Sequence, residues 1–445
     1  MLSWNLLVCI GQFAAKTDLK AFASIIPLTR QCRACLMRIL LPCAAFPPFA
    51  DGGGPISSLM IAQILRKEGH DLRVVNISGE DRHEEYHGLN VHRLPSQNIY
   101  WNYREPHPAW QKIVWHALEN GNPRAFTTMR NEIRDFQPDI VLSLSIENIN
   151  VATWAAAKSL SVPVAHTVFS AFMMCWNGVM QRNGQTCTRQ CADCKLTSIG
   201  RRFFSRYVDG LIGESEDTIA RHLGEGYFPN ARPRRIPAAI DKVHAHVPRP
   251  YPNGRPLRIG FLGVHTHFKG VGTLGEAANM MGSALDIEFV IAGEGNDAFA
   301  RSLPGLFPAH RTNFVGWVKP NTFLSEIDLL VYPSLGREAF GRASIEAFSH
   351  AVPVISTDIG GVAENIKQGV NGFHFEAGNA LSLKAAIEQA VSDPKVYEHL
   401  SEGALASAWH YTPAAVGRQF SEFLSELAAP TRTPSLHQGT GAQMP

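Results

Sequence analysis

The chain has 445 residues, 45% of them hydrophobic and 18% charged. That length admits two domains, and that composition gives each a buried core. A formal net charge of +2 argues against nucleic acid as a partner, and no apolar run reaches the roughly 18 residues needed to cross a bilayer. Eight cysteines in so long a chain do not read as a disulfide framework and point to a reducing, cytoplasmic compartment.

Residues 1–36 stand apart. Trp4–Ala15 is apolar, but only Met1, Leu2 and Ser3 precede it, without Lys or Arg. A secretory signal wants a positive start and a small-residue cleavage site. The expectation is an appended or mis-started extension, with the fold opening at Met37.

From there Arg38–Pro42 reads as a strand and Phe46–Pro55 as a Gly/Pro-rich loop. Ile56–Gly69 has helical periodicity, with Ile56, Leu59, Met60, Ile64 and Leu65 on one side. Leu72–Ile77, Asp139–Leu144, Val162–Val168 and Gly210–Gly213 are further strands. Ala231–Pro256 is dense in Pro and Arg and reads as the approach to, and crossing of, a linker. A second series follows: strands at Leu257–Leu262, Ile287–Ala292, Leu329–Tyr332 and Val352–Ser356, and helices at Gly272–Met281, Ala343–His350 and Leu383–Val391. Two successive strand–helix series predict an α/β protein of two Rossmann-like, doubly wound lobes with a cleft between them. The first covers 37–245 and the second 246–428, and the helical stretch Tyr397–Ala428 crosses back to the first. The polar tail 429–445 is expected to be disordered.

The chemistry concentrates in Tyr332–Ser349. A strand ends at Pro333-Ser334, a loop runs through Gly336 to Gly341, and a helix begins near Ala343. Ligands collect beyond the carboxyl ends of parallel strands, and a helix N-terminus there suits a phosphate. Gly341 lets backbone approach a ligand. Glu338 and Glu346 offer carboxylates to sugar or ribose hydroxyls. A glutamate pair alone reads more simply as two solvated carboxylates near a helix start.

The surrounding segment changes that balance. GREAFGRASIEAFSHAVPVISTDIGGVAENIKQGVNGFHFEAGN resembles the donor-binding signature of the family 4 glycosyltransferases. Glu338 and Glu346 match its two glutamates, and Pro353, Val354, Gly360, Gly361 and Glu364 match its Pro-Val strand and Gly-Gly-x-x-Glu turn. FVIAGEG at 289–295, FVGWV at 314–318 and IDLLVYPS at 327–334 extend the likeness, which covers roughly Met37–Ala428 and is strongest after Leu257.

The resemblance implies a GT-B fold and retaining transfer of a sugar from a nucleotide-diphosphate sugar, with no catalytic metal. The acceptor would be a glycan, a lipid-linked sugar or a small molecule. Bacterial surface-polysaccharide assembly is a setting suggested by the family. Glu346 would bind the ribose, and Glu338 the donor sugar. Backbone through Ala339, Phe340, Gly341 and Arg342, together with Gly263 and Gly295, would face sugar and phosphate. Lys269, in FLGVHTHFKGVGTL, is the candidate cation for the diphosphate leaving group; the plainer alternative is a surface lysine at a helix start. Gly52, Gly53 and Gly54, after the first strand, are the candidate acceptor or phosphate loop.

The match falters in two places. The family segment Gly-Arg-x4-Lys-Gly has Val264 at its arginine, which makes Arg342, His265 and His267 candidate substitutes. The family element Thr-x-His-Asp has Phe169 at its histidine and Ser170 at its aspartate. His166, three residues earlier, reads equally well as a structural strand histidine. These departures keep open a scaffold subunit without turnover, and a nucleotide-sugar epimerase shares the fold.

Cys175, Cys187, Cys191 and Cys194 form a cluster whose last members are spaced by four and three residues, a pattern able to close a structural zinc site. Buried or redox-active thiols without metal are the alternative. Arg201, Arg202, Phe203, Phe204, Arg206 and Tyr207 mix basic and aromatic residues, which suits peripheral contact with the inner face of a membrane; an ordinary amphipathic helix is the preferred reading.

Overall fold

The computed structural model describes residues 36–44, 46–48, 53–101, 105–182, 185–282 and 285–429. The 1–35 segment, Gly52 of the glycine loop and the tail from 430 lie outside the described residues. From Met37 onward the chain forms one unit with two sheets.

The first sheet contains β1 (Arg38–Cys43), β2 (Asp71–Ser78), β3 (Arg82–Tyr86), β4 (Leu89–Pro95), β5 (Ile140–Ser143) and β6 (Val164–Val168). After a two-stranded hairpin, β7 (Gln181–Arg182) and β8 (Gln185–Thr186), it is completed by β9 (Gly210–Gly213) and β10 (Arg232–Arg235). Its order is β10-β9-β6-β5-β1-β2-β4-β3, parallel except for β3 against β4. The central strands are buried along their length, as expected of a sheet covered on both faces.

The Pro/Arg-rich stretch read as linker contributes β10. It pairs with β9 alone, at the sheet edge, where Pro233 costs no ladder bond and arginines deter further pairing.

The second sheet contains β11 (Leu257–Leu262), β12 (Ile287–Ala292), β13 (Thr312–Gly316), β14 (Leu329–Tyr332), β15 (Val354–Thr357) and β16 (Gly372–Phe375). It is fully parallel, in the order β13-β12-β11-β14-β15-β16. The last helix, Pro413–Ala428, follows the second sheet in sequence but packs on the first lobe. Val416, Phe420, Phe423 and Leu424 join Ile39, Leu41 and Ile64 in one core cluster, and His70 Nε2 lies 3.0 Å from Ser421 Oγ.

A second tie joins the lobes. The helix Glu216–Gly224 of the first lobe has its N-terminal backbone N–H groups bonded by Glu364 of the second. Glu216 N donates to Oε2 at 2.9 Å and Asp217 N to Oε1 at 2.7 Å. Arg235 pairs with the same carboxylate at 3.2 Å.

Candidate active site

In the second sheet β11 lies between β12 and β14, so the chain leaves its carboxyl end in one direction and leaves that of β14 in the other. A crevice opens where the order reverses. The two loops beside it touch. Leu335 N donates to Phe268 O at 2.8 Å. Gly270 has φ +68°, and a Cβ there would stand 1.7 Å from the Pro333 carbonyl oxygen, so glycine is required at this contact.

That contact brings Lys269 to Glu338. Lys269 Nζ donates to Glu338 Oε1 at 2.7 Å, and Ser334 Oγ donates to the same oxygen at 2.7 Å. Nζ also lies 5.7 Å from the centroid of the Tyr332 ring. Burial alone lowers the Lys269 pKa, but Tyr332 and Glu338 outweigh it, and the ammonium is held above the ordinary lysine range. Lys269 is therefore a fixed cation and not a proton-accepting base.

The helix Arg342–Ser349 starts from Gly341, whose φ is +84° and whose absent Cβ would lie 2.7 Å from Val362. One turn in, Arg342 Nη2 pairs with Glu346 Oε1 at 3.2 Å. Arg342 also crosses the cleft, where Nη1 donates to Ser57 Oγ at 3.2 Å. A Cβ on Gly53 would stand 3.6 Å from Arg342 Cδ. The N-terminal turns of one helix in each lobe, Gly53–Lys67 and Arg342–Ser349, thus face each other. Glu214, after β9, is buried in the same seam; burial pushes its carboxyl up to about 7, with Arg342 acting the other way.

The remaining candidates separate by what they touch. The Ala339 carbonyl accepts from Ser215 Oγ at 2.6 Å and Thr218 Oγ1 at 3.2 Å. The Phe340 carbonyl accepts from Asn365 Nδ2 at 2.8 Å, and its ring is buried beside Tyr411. Phe340 is a packing residue in its side chain. Gly263 and Gly295 shape the adjoining loops: Gly263 N donates to Ala292 O at 3.1 Å, and a Cβ on Gly295 would meet His265 O at 2.4 Å. Gly293, at φ +118°, is the glycine that sequence reasoning passed over; its Cβ would strike Gly263 O at 1.9 Å.

Among the three substitutes for the cation absent at Val264, the histidines fit poorly. His265 is buried, and that burial lowers its pKa. His267 is exposed, its ring set against Phe299. Of the three, Arg342 is the one whose charge reaches across the cleft, to Ser57.

The first sheet reverses its order at β1 and β5, where Ala44 N donates to Ser145 Oγ at 3.0 Å. A cavity of about 600 Å³ opens there, with Gly53 and Gly54 at its edge. Its walls include Tyr100, Trp115, Glu147, Phe169, Ser170 and Trp176. Ser170 Oγ donates to Glu147 Oε1 at 3.2 Å, and burial raises the Glu147 carboxyl. Phe169 and Ser170 thus sit at the cavity despite departing from the family pattern. The aromatic wall and Glu147 were missed in the sequence; the available signal was Glu147, Asn148 and Asn150 following a strand, and the structure holds both asparagines at positive φ.

His166 is not part of this cavity's wall but lines a small adjoining pocket with Glu147, Phe169 and Ser170. It is buried in β6 with Nδ1 2.9 Å from Ser143 Oγ, and burial drives its pKa down to about 3. Arg201 is likewise buried and donates to the Phe172 carbonyl, which removes it from the basic–aromatic surface considered above. Phe203, Arg202 and Arg206 remain outward. Among the described residues no helix is long and apolar enough to cross a membrane. The clustered cysteines are free thiols, and Cys187 and Cys191 place their sulfurs 3.8 Å apart.

Comparison with known proteins agrees with this geometry. Residues 248–406 match the model of the glycosyl transferases group 1, and residues 52–239 that of a glycosyl transferase 4-like domain. An uncharacterized 42.6 kDa protein in the cps region of Klebsiella pneumoniae is 27% identical, over 74% of this chain and 87% of its own length. A GDP-mannose-dependent alpha-mannosyltransferase of Corynebacterium glutamicum is 25% identical over 92% of this chain and 94% of its own. Among solved structures, Anabaena HepE in complex with UDP superposes with TM-score 0.64 at 15% identity, covering 88% of this chain and all of its own. Sucrose-phosphate synthase from Thermosynechococcus elongatus gives 0.67 at 18%, over 88% and 99%. The two matched domains, the paired parallel sheets and the glutamates at the second sheet's crevice lead to one conclusion: the chain belongs to the group 1 glycosyltransferases, enzymes of the two-lobed GT-B fold.

Proposed function

We propose that this enzyme transfers a sugar, with retention of anomeric configuration, from a nucleotide-diphosphate sugar bound on the second lobe to a hydroxyl acceptor in the first-lobe cavity. The observation that carries the reading is the Lys269–Glu338 pair, held by two touching loops beside the helix that bears Glu346. Support also comes from Anabaena HepE, whose structures hold UDP, UDP with glucose, and UDP-glucose.

In this reading Glu346 accepts from the ribose hydroxyls. Glu338, its Oε1 engaged by Lys269 and Ser334, accepts a donor-sugar hydroxyl at Oε2. Lys269 and Arg342, rather than a metal ion, offset charge on the departing diphosphate. The acceptor oxygen bonds to the anomeric carbon on the face the diphosphate leaves, as the carbon–oxygen bond to phosphate breaks. The acceptor proton passes to a departing phosphate oxygen. Closure of the cleft keeps water from competing as acceptor. The acceptor is a glycan, a lipid-linked sugar or a small molecule, and surface-polysaccharide assembly is the setting we favour, given the cps-region relative. Contact with a membrane surface would involve Phe203, Arg202 and Arg206, the outward residues of their stretch.

The test is a thermal-shift screen of nucleotide sugars followed by hydrolysis and transfer assays with the best binder. Binding with turnover supports the reading. Binding without turnover on any acceptor would favour a scaffold role instead.

A further inference from the structure

Cys175 lies in the turn after β6, Cys187 just past β8, and Cys191 and Cys194 at the start of the helix Ala192–Thr197. Folding brings Cys187 to Cys191 and Cys191 to Cys194, with Cys175 beside them. The 3.8 Å between Cys187 and Cys191 sulfurs is far beyond a disulfide bond of about 2.05 Å. It matches the edge of a tetrahedron whose metal–sulfur bonds are about 2.3 Å, which is roughly 3.8 Å. Ligand atoms of Cys191, Asp193 and Cys194 all lie within 4.8 Å of one another. Cys175 is near enough to act electrostatically on both Cys187 and Cys194.

The surroundings are built rather than incidental. Buried Gln190 donates to Met174 O at 2.8 Å and lies 2.9 Å from both Ser198 Oγ and Tyr227 OH, fixing the loop that carries Cys191. Ser198 Oγ donates to Cys194 O at 2.6 Å. Cys187 N donates to Met180 O at 2.8 Å. Two arginines flank the thiols: Arg182, which also pairs with Asp193 at 3.1 Å, and Arg221. Four thiolates around a divalent cation carry a net charge of −2, and these guanidiniums are suited to offset it.

We propose that Cys175, Cys187, Cys191 and Cys194 form a structural site for a soft, tetrahedral divalent cation of the zinc class, and that this ion holds one wall of the first-lobe cavity. Trp176, Asn177, Gly178 and Val179, which line that cavity, fall inside the loop the first two cysteines would close. Cys175 Sγ donates to Asn177 Oδ1 at 2.9 Å. Metal binding releases the thiol protons and replaces that bond with a sulfur–metal bond. None of the four cysteines is among the residues placed at the donor crevice, so the ion would organise the cavity without taking part in bond transfer.

The experiment uses the full chain purified without chelator or affinity metal. Elemental analysis is expected to give about one zinc per chain, and X-ray absorption four sulfur neighbours near 2.3 Å. Cobalt substitution should give the charge-transfer bands of tetrahedral thiolate coordination. Removing the metal should raise amide exchange within 171–198 while leaving nucleotide-sugar binding in place. Cys191→Ser and Cys187→Ser should each reduce bound metal at least tenfold; if either variant fails to fold, chelation of the intact protein with the same exchange readout decides. Metal-free protein from zinc-replete cells with all four thiols reactive, or a Cys187–Cys191 disulfide by mass spectrometry, would overturn the site. Exchange unchanged by metal removal would overturn its hold on the cavity.

Discussion

Lys269 and Glu338 are separated by 69 residues, yet their side chains meet at 2.7 Å because Gly270 lets one loop rest on the carbonyl of Pro333. The ammonium is thus positioned before any ligand arrives, the condition under which a fixed charge lowers a barrier most. Lys269→Ala should lower kcat by about 100-fold or more, with a smaller change in donor affinity. Steady-state kinetics with the best donor separate the two. A pure KM effect would remove Lys269 from the leaving-group role.

Gly270→Ala tests the scaffold beneath that pair. The new methyl would overlap the Pro333 oxygen at a positive φ, so the loops must part. Loss of more than about 2 kcal/mol of stability is expected, together with a fall in kcat like that of Lys269→Ala. Denaturant unfolding and kinetics on the same preparation report both.

Glu346→Ala should abolish measurable binding of the nucleotide sugar with the fold retained, read by calorimetry and circular dichroism. Arg342→Ala should weaken it by roughly 10- to 100-fold, the range for losing a hydrogen bond to a charged group of about 1.5–3 kcal/mol. Unchanged affinity in Glu346→Ala would sink the ribose assignment, and in Arg342→Ala the idea that this arginine stands in for the cation absent at Val264.

Glu119 gives a pH prediction. It is buried beside the first-lobe cavity, and burial raises its carboxyl from 4.5 to about 8; bonds from Asn98 and the Asn148 N–H, and the Arg201 charge, pull the other way, while Glu147 adds to the rise. The folded state then holds a proton that the unfolded state has released. Stability from this group is full below about 4.5 and declines as pH rises through about 8. Glu119→Gln should flatten that decline. Melting temperatures of both proteins across this range provide the check, and parallel profiles would show that Glu119 titrates normally.

The second-lobe candidates were legible through the family resemblance, since a glutamate pair alone reads as two solvated carboxylates. The structure places Glu338, Gly341, Arg342 and Glu346 within one strand–loop–helix unit and brings Lys269 to Glu338 from 69 residues away. The first-lobe cavity was not legible, because Tyr100, Trp115, Glu147 and Trp176 come from four separate segments and meet only through the sheet's order reversal. Trp115 within its helix carries no mark separating a cavity wall from ordinary core, although its Nε1 is pinned by Asn148 Oδ1 at 3.1 Å. β10 was hidden for the opposite reason: Arg232–Arg235 has a loop's composition, and only its edge position makes it a strand.

The carboxylate of Glu364 has a consequence for how far the two halves are interchangeable. It satisfies the first backbone amides of a helix that belongs to the other lobe. A first lobe made alone, or fused to a second lobe from another enzyme lacking an acid at this place, would leave the Glu216 and Asp217 amides of that helix unanswered, with only the Ser215 cap on Thr218 N retained. Recombining halves to alter donor choice therefore needs the Gly360–Glu364 turn transplanted in register, or an acidic residue restored there. Without it, the hybrid inherits a frayed seam as well as a new specificity.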